Sequence, residues 1–426
     1  MTSRTFRLLV HLPAVRALLE ACGPAECHLV GGILRDRALG LPSHDVDAVV
    51  AGGGGREIAE RLAAALPARL VFLGGKEFAA YRLVGEDMTV DLWDREGTSL
   101  HQDLARRDFT VNAFALDARS GELVDPFGGL ADLERRLLRA TTAESFTGDP
   151  LRVLRLPRLL LRLPGFAADP QTLMLARAST PGLVRMAAER VREELSILFA
   201  HPEAHRGLAL LVALDVYPGL WLGRPGEPGK PGGALAELEA LPERIREMRE
   251  IDTAAADAVD ATAARLAASF AHLPTLDGRG PLHCLELFQG AGYLNRQEAA
   301  KIALLLGWDE LPASDLGQRR FLHRAGPLWA TAVASLGARI TGRAALERWR
   351  SLLPALLDLA RREGETLFDP PRLLTGGEVQ ELLGITPGPE VGKALAAVRQ
   401  AQVDGKVRTR EEAVGLLHGR AQTDTD

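Results

Sequence analysis

Residues 28–50 restrict the fold of this chain more than any other stretch. They run His28-Leu29-Val30, Gly31-Gly32, Ile33-Leu34-Arg35-Asp36 and, after a short connection, His44-Asp45-Val46-Asp47-Ala48-Val49-Val50. The first apolar run reads as a short strand, the glycines as a turn into a helix, and the last run as a second strand. Side chains alternate along a strand, so Asp45 and Asp47 project from the same face. Two carboxylates so placed can hold two divalent cations about 4 Å apart, as in-line phosphoryl displacement requires. Gly31-Gly32 offers unobstructed N–H groups where a helix begins, which favours an anion. Carboxylates for metal beside a glycine turn for phosphate describe a nucleoside triphosphate site. Either feature alone is better explained by a solvated strand face or an ordinary turn. Their union in one strand–helix–strand unit favours the site.

At 426 residues the chain exceeds one compact core, and two or more domains are expected. The spacing predicts strands at 27–30, 45–50, 69–73, 80–84, 88–93 and 111–116, with helices at 13–22 and 56–66. Strands and helices alternate to about residue 140, the pattern of a mixed α+β head. From about residue 150 strand signals vanish and leucine- and alanine-rich helical periodicity takes over. The Pro/Gly run at 223–233 reads as a linker within the helical part. Gly52 to Gly55 invites comparison with a dinucleotide-binding turn, but Glu57 stands where the last glycine of that spacing belongs.

Three properties limit the partners. No run approaches the roughly 18 apolar residues of a membrane span, and the N-terminus lacks a cleavage pattern, so the expected compartment is cytoplasmic, with no membrane partner. Cys22, Cys27 and Cys284 have neither metal nor disulfide spacing, and Cys22 and Cys27 read as core or helix-end residues. His272, His283 and His323 likewise read as core or surface residues. The net charge of −5 does not advertise a nucleic-acid binder, but local patches rather than totals do the steering.

Further motifs follow in order. Asp91 faces away from Val90 and Leu92 and is a candidate third carboxylate, as metal support or as base for an attacking hydroxyl. In Asp103-Leu104-Ala105-Arg106-Arg107-Asp108-Phe109-Thr110-Val111-Asn112-Ala113 the paired arginines suit a triphosphate, and Asp108 and Asn112 can bond ribose hydroxyls. Asp149 and Arg152, three apart, would share a helix face and offer acceptor and donor to a base edge. Arg155 and Arg158 would continue that face toward phosphate, and Pro157 would kink the helix. An Asp–Arg ion pair at a helix start is the plainer alternative. Glu189 to Leu195 reads as a charge-paired helix, and Leu374 to Glu378 with Gly384 to Lys393 as a Gly/Pro turn feeding helices.

Gly-Gly-x-x-Arg-Asp, Asp-x-Asp, the Arg-Arg-Asp-Phe-Thr stretch, Asp125 to Leu133, Asp149-x-x-Arg152 and the C-terminal turn together resemble the class II tRNA nucleotidyltransferase and bacterial poly(A) polymerase family. The resemblance implies a mixed-sheet nucleotidyltransferase palm as head (1–140), then an all-helical neck (141–222), body (234–365), tRNA-binding tail (366–420) and frayed end (421–426). It implies catalysis by Asp45, Asp47 and Asp91, with Asp45 and Asp47 holding Mg²⁺. Gly31, Gly32, Arg35, Arg106, Arg107, Asp108, Asn112, Asp149, Arg152, Arg155 and Arg158 would bind the nucleotide. Family members use Glu-Asp-x-x-Arg as a protein template for incoming CTP or ATP, and here Gly148 replaces the glutamate.

CCA-adding relatives carry a long flexible loop between the third carboxylate and the Arg-Arg-Asp motif, and CC-adding ones lack most of it. Here only Leu92 to Ala105 intervene. The expectation is therefore a CC-adding enzyme acting on tRNA with CTP. Full CCA addition or A addition with ATP is the alternative. A poly(A) polymerase, or a non-catalytic RNA-binding descendant, stands further off.

Overall fold

The computed structural model describes residue 6 and residues 8–43, 45–52, 54–73, 79–86, 88–95, 97–221, 232–273 and 280–423. The chain divides into two compact units, Met1–Glu194 with Ala213–Gly219, and Leu195–Val212 with Leu220–Asp426.

The first unit is built on a mixed sheet. Its strands are β1 (Cys27–Val30), β2 (Asp45–Val50), β3 (Arg69–Phe72), β4 (Ala79–Val84), β5 (Thr89–Asp94), β6 (Ala115–Asp117) and β7 (Leu123–Val124), in the order β3-β4-β5-β2-β1-β6-β7. β2 and β5 run parallel, and the other neighbours are antiparallel. A parallel pair needs a long return, which α3 (Gly55–Ala65) and the β3–β4 hairpin provide. Helix α1 (Pro13–Cys22) packs on α3, and α3 covers β4 and β5. On the other face α4 (Leu100–Ala105) sets Leu104 against Val30, Val49 and Ala115. Helix α2 (Gly32–Leu39) joins β1 to β2 and stops at Gly40, whose φ of 70° is the left-handed cap that glycine adopts most readily.

The predicted strand at 111–116 forms only in part. Thr110–Asn112 is a 3₁₀ turn, and the strand occupies Ala115–Asp117. The local hydrogen bonds explain the difference. Thr110 donates its hydroxyl to buried Asp132 at 2.6 Å and its N–H to the Arg139 carbonyl, so the chain turns before it can join the sheet.

After α5 (Gly129–Arg135) the two-residue strands β8 (Leu137–Leu138) and β9 (Ala167–Ala168) pair in parallel, a small exception to the expected loss of strands beyond residue 150. Helix α6 (Arg152–Arg162) runs through Pro157 as one element. The proline removes one intrahelical hydrogen bond, while burial of Val153, Leu154, Leu156 and Leu159 holds the segment in place.

The second unit is helical. Trp221 packs against Phe199, Phe270 and Phe288, with its ring 4.9 Å from that of Phe288. Buried Glu237 gathers half-buried His272 at 3.0 Å, Ser335 at 3.2 Å and Arg339 at 3.4 Å, so His272 sits at the edge of the core. His323 contacts the Leu367 carbonyl through Nδ1. Gly376–Leu383, Pro389–Val403 and Arg410–Thr423 close a separate apolar cluster around Val379, Val398 and Leu417. The last helix thus reaches three residues into the stretch expected to fray. The Pro/Gly linker lies outside the described residues as far as 231, and a helix, Gly232–Ile251, begins immediately after.

Candidate active site

Strand register places the acidic residues. Asp47 pairs with Asp91 across the parallel β2–β5 ladder, and Asp45 pairs with Thr89. Partners in register share a face, so Asp45, Asp47 and Asp91 stand on one side of the sheet. They line a cleft of about 390 Å³ with Gly32, Arg35, Asp108, Asn112 and Arg158. Asp45 is exposed and Asp47 half-buried.

Burial pushes the Asp47 carboxyl above its ordinary range. Arg107 and the Gly32 N–H oppose the rise, and the charges of Asp91 and Asp45 add to it. This crowding of hard oxygen donors fits a hard divalent cation. Among the described residues no three His, Cys, Asp or Glu side chains close around one point.

The glycine turn lies against them. Gly31 has φ +76°, and a Cβ there would collide with the Asp47 carboxylate. The close approach brings the start of α2 to the acidic face.

Arg35, only 3% exposed, gives all its nitrogens to protein partners. Nε and Nη2 donate to Asp36 Oδ1 at 2.8 and 2.6 Å, and Nη1 donates to Asn112 Oδ1 at 2.7 Å. Asn112 Nδ2 in turn donates to Asp108 Oδ1 at 2.8 Å, so both ends of the amide are fixed. Burial alone would raise the Asp108 pKa, but Arg155, Asn112, the Phe109 N–H and Arg152 together hold it below the usual carboxylate value. The 3₁₀ turn brings these two residues together, four apart in sequence.

The neck residues depart from the predicted geometry. Asp149 and Arg152 do not share a helix face, because Asp149 is extended (φ −143°, ψ 92°) and the helix begins at Arg152. Pro150 is the cause, since a residue before proline is driven out of the helical region. Asp149 pairs with Arg190 at 3.0 Å. Arg152 donates to the carbonyls of Ser145, Arg107 and Arg106, tying the neck segment to the Arg-Arg-Asp turn. Arg155 and Arg158 both meet Glu194 at 3.1 Å, and Glu194 is 4% exposed.

Gly31, Arg106, Arg107, Asp149, Arg152 and Arg155 therefore stand around the cleft rather than in its lining. The sequence reading missed Arg82, Arg162 and Glu194. Arg82 was discoverable from the β4–β5 hairpin, where it is the polar residue directly across from Asp91. Arg162, bound to Asp36 at 2.6 Å across 126 residues, left no local signal.

Known proteins place this architecture. Residues 27–139 match the family described as "Poly A polymerase head domain", and residues 165–221 match "Probable RNA and SrmB- binding site of polymerase A". A CC-adding tRNA nucleotidyltransferase of Geobacter sulfurreducens is 31% identical over 95% of this chain and 94% of its own. An A-adding tRNA nucleotidyltransferase of Deinococcus radiodurans is 32% identical over 94% and 96%. The solved CCA-adding enzyme of Bacillus stearothermophilus with CTP shares the fold at TM-score 0.66 and 24% identity, covering 97% of this chain and 99% of that one. Alike to such relatives along nearly its whole length, this chain belongs to the tRNA nucleotidyltransferase family, metal-dependent enzymes that use nucleoside triphosphates.

Proposed function

We propose that this chain adds cytidine nucleotides from CTP to the 3′ end of tRNA and stops after two. The 3′-hydroxyl oxygen bonds the α-phosphorus, the bond to the β-phosphate oxygen breaks, and its electron pair leaves with pyrophosphate. The hydroxyl proton passes to Asp91 and thence to water. Asp45 and Asp47 would hold Mg²⁺, which supplies charge neutralisation and a lowered hydroxyl pKa when bound. Gly31, Gly32, Arg106, Arg107 and Arg158 cradle phosphates, with Asp108 and Asn112 at the ribose and Arg35 bracing Asn112. Asp149 and Arg152, with Arg155, govern the base. The head at 1–140 carries the chemistry, the neck at 141–222 the nucleotide choice, and the body at 234–365 and tail at 366–420 the tRNA. The cytoplasm is the setting, and no described helix is long and apolar enough to cross a membrane.

One observation carries the choice of C. Only residues 95–99 join β5 to α4, and Ser99 and Gln102 lock the helix start in a reciprocal capping box. So short and anchored a connection cannot re-aim the neck from C to A. The Geobacter relative's CC-adding name supports the reading, and the Deinococcus relative's A-adding name supports the rival one.

The deciding experiment incubates the protein with tRNA lacking its CCA end and CTP, ATP or both, and with tRNA ending in CC plus ATP. Two added C residues with both nucleotides present is the expected result. A terminal A on either substrate overturns the CC-only reading.

A further inference from the structure

Arg82 lies directly across from Asp91 in the antiparallel β4–β5 pair, and Asp47 lies across from Asp91 on its other side. The three form a row over three strands on the cleft face, with Asp45 one pleat repeat along β2. The Arg82 guanidinium meets the Asp91 carboxylate two-on-two, Nε to Oδ1 at 2.7 Å and Nη2 to Oδ2 at 2.6 Å. This fork fixes the carboxylate's position and its rotation together. Among the described residues neither Asp45 nor Asp47 has a two-point arginine partner.

We propose that Arg82 is a positioning residue for nucleotidyl transfer, clamping Asp91 toward the RNA 3′-hydroxyl while Asp45 and Asp47 carry the cations. The inference rests on the transfer reaction proposed above. Each Asp91 oxygen gives one lone pair to Arg82 and keeps another, which suffices to accept a hydroxyl hydrogen bond. The adjoining guanidinium charge makes the same oxygens poor ligands for a dication. The pair also differs from an ordinary surface bridge in place, because both partners line the cleft that holds the other two carboxylates. The Asp91 side chain is 13% exposed and that of Arg82 45%, so the carboxylate is enclosed and the arginine reaches it from the rim.

The test uses the full chain and its Arg82→Ala, Arg82→Lys, Asp91→Asn and Arg82→Ala/Asp91→Asn variants. Steady-state extension of tRNA is followed with CTP, and Mn²⁺ binding by electron paramagnetic resonance. Arg82→Ala is expected to lower kcat about 100-fold, as loss of an orienting partner does, with the KM for CTP within about twofold. Arg82→Lys recovers part of that loss, since an ammonium keeps the charge without the fork. The double variant is no slower than Asp91→Asn, because both changes disable one unit. Mn²⁺ affinity stays within about threefold in Arg82→Ala and Asp91→Asn. A raised KM for CTP with kcat intact would make Arg82 a phosphate ligand and overturn the proposal. So would unchanged kcat, or loss of Mn²⁺ binding in Asp91→Asn. Failure of the unmodified protein to extend tRNA would instead sink the transfer reading, and the Mn²⁺ titrations would still report whether Asp91 is a ligand.

Discussion

Gly31 stands so close to Asp47 that no side chain fits between them, and a Cβ there would also lie 3.1 Å from Arg107 Nη1. With φ at +76° the position is doubly closed to other residues. Gly31→Ala should remove nucleotide incorporation and cost about 1–3 kcal/mol of stability, the range for a strained backbone. Radiolabelled CTP incorporation and a urea unfolding midpoint measure the two effects. An active variant would mean that the turn does not have to lie against the acidic face.

Asp45→Ala should abolish incorporation while tRNA binding by filter retention stays intact, because the exposed carboxylate supports no core. Lost tRNA binding would place Asp45 in the RNA interface instead.

Arg152 supplies hydrogen bonds to three carbonyls, those of Ser145, Arg106 and Arg107. Arg152→Ala leaves these acceptors short of a donor, which costs about 1–3 kcal/mol. The loss should appear as a lower urea midpoint even without nucleotide. A variant as stable as the parent would mean that water replaces the guanidinium without penalty.

Gly148 stands where the resemblance sets the template glutamate, and it has open space around it, since a Cβ there meets nothing within 4 Å. Gly148→Glu should therefore fold normally, with Tm within about 2 °C of the parent, as surface substitutions do. It should change the ratio of kcat/KM for CTP over ATP at least about threefold, equivalent to about 0.6 kcal/mol or more of discrimination. An unchanged ratio would show that base choice lies elsewhere.

In the second unit Arg320 clamps Asp404 through two hydrogen bonds of 2.8 Å, and Gln400 adds a third. The Arg320 hydrogen bonds, with burial opposing and Gln400 and Lys406 assisting, hold the Asp404 carboxyl down at about 2. A carboxyl lowered on folding stabilises the protein above its unfolded value of 3.8, and the benefit fades as pH falls toward 2. The stability advantage of the parent over Asp404→Asn should be constant from neutral pH to about 5 and shrink below about 4. A gap that widens on acidification would contradict this sign.

Much of the head was legible because it is written in short-range pattern. Alternation located β2 and β5, and their aspartates followed from parity alone. Most of what escaped was set by distant partners. Asp149 read as helical until Pro150 is given its due, an avoidable error, since the proline is adjacent in sequence. Glu194 holding Arg155 and Arg158, and Arg162 holding Asp36, depend on how helices pack, and no spacing rule announces them. The partly lost strand at 111–116 is of the same kind, a local preference overruled by Thr110 binding Asp132.

The parallel pairing of β2 with β5 bears on how such a protein can change. A one-residue insertion or deletion in either strand would turn its carboxylates to the opposite face, away from the cleft in which the proposed transfer takes place. The connection at 95–99 and the open flank of Gly148 carry no such penalty. On the proposed mechanism, a change in the tRNA end produced can therefore arise outside the sheet, with β2 and β5 left as they are.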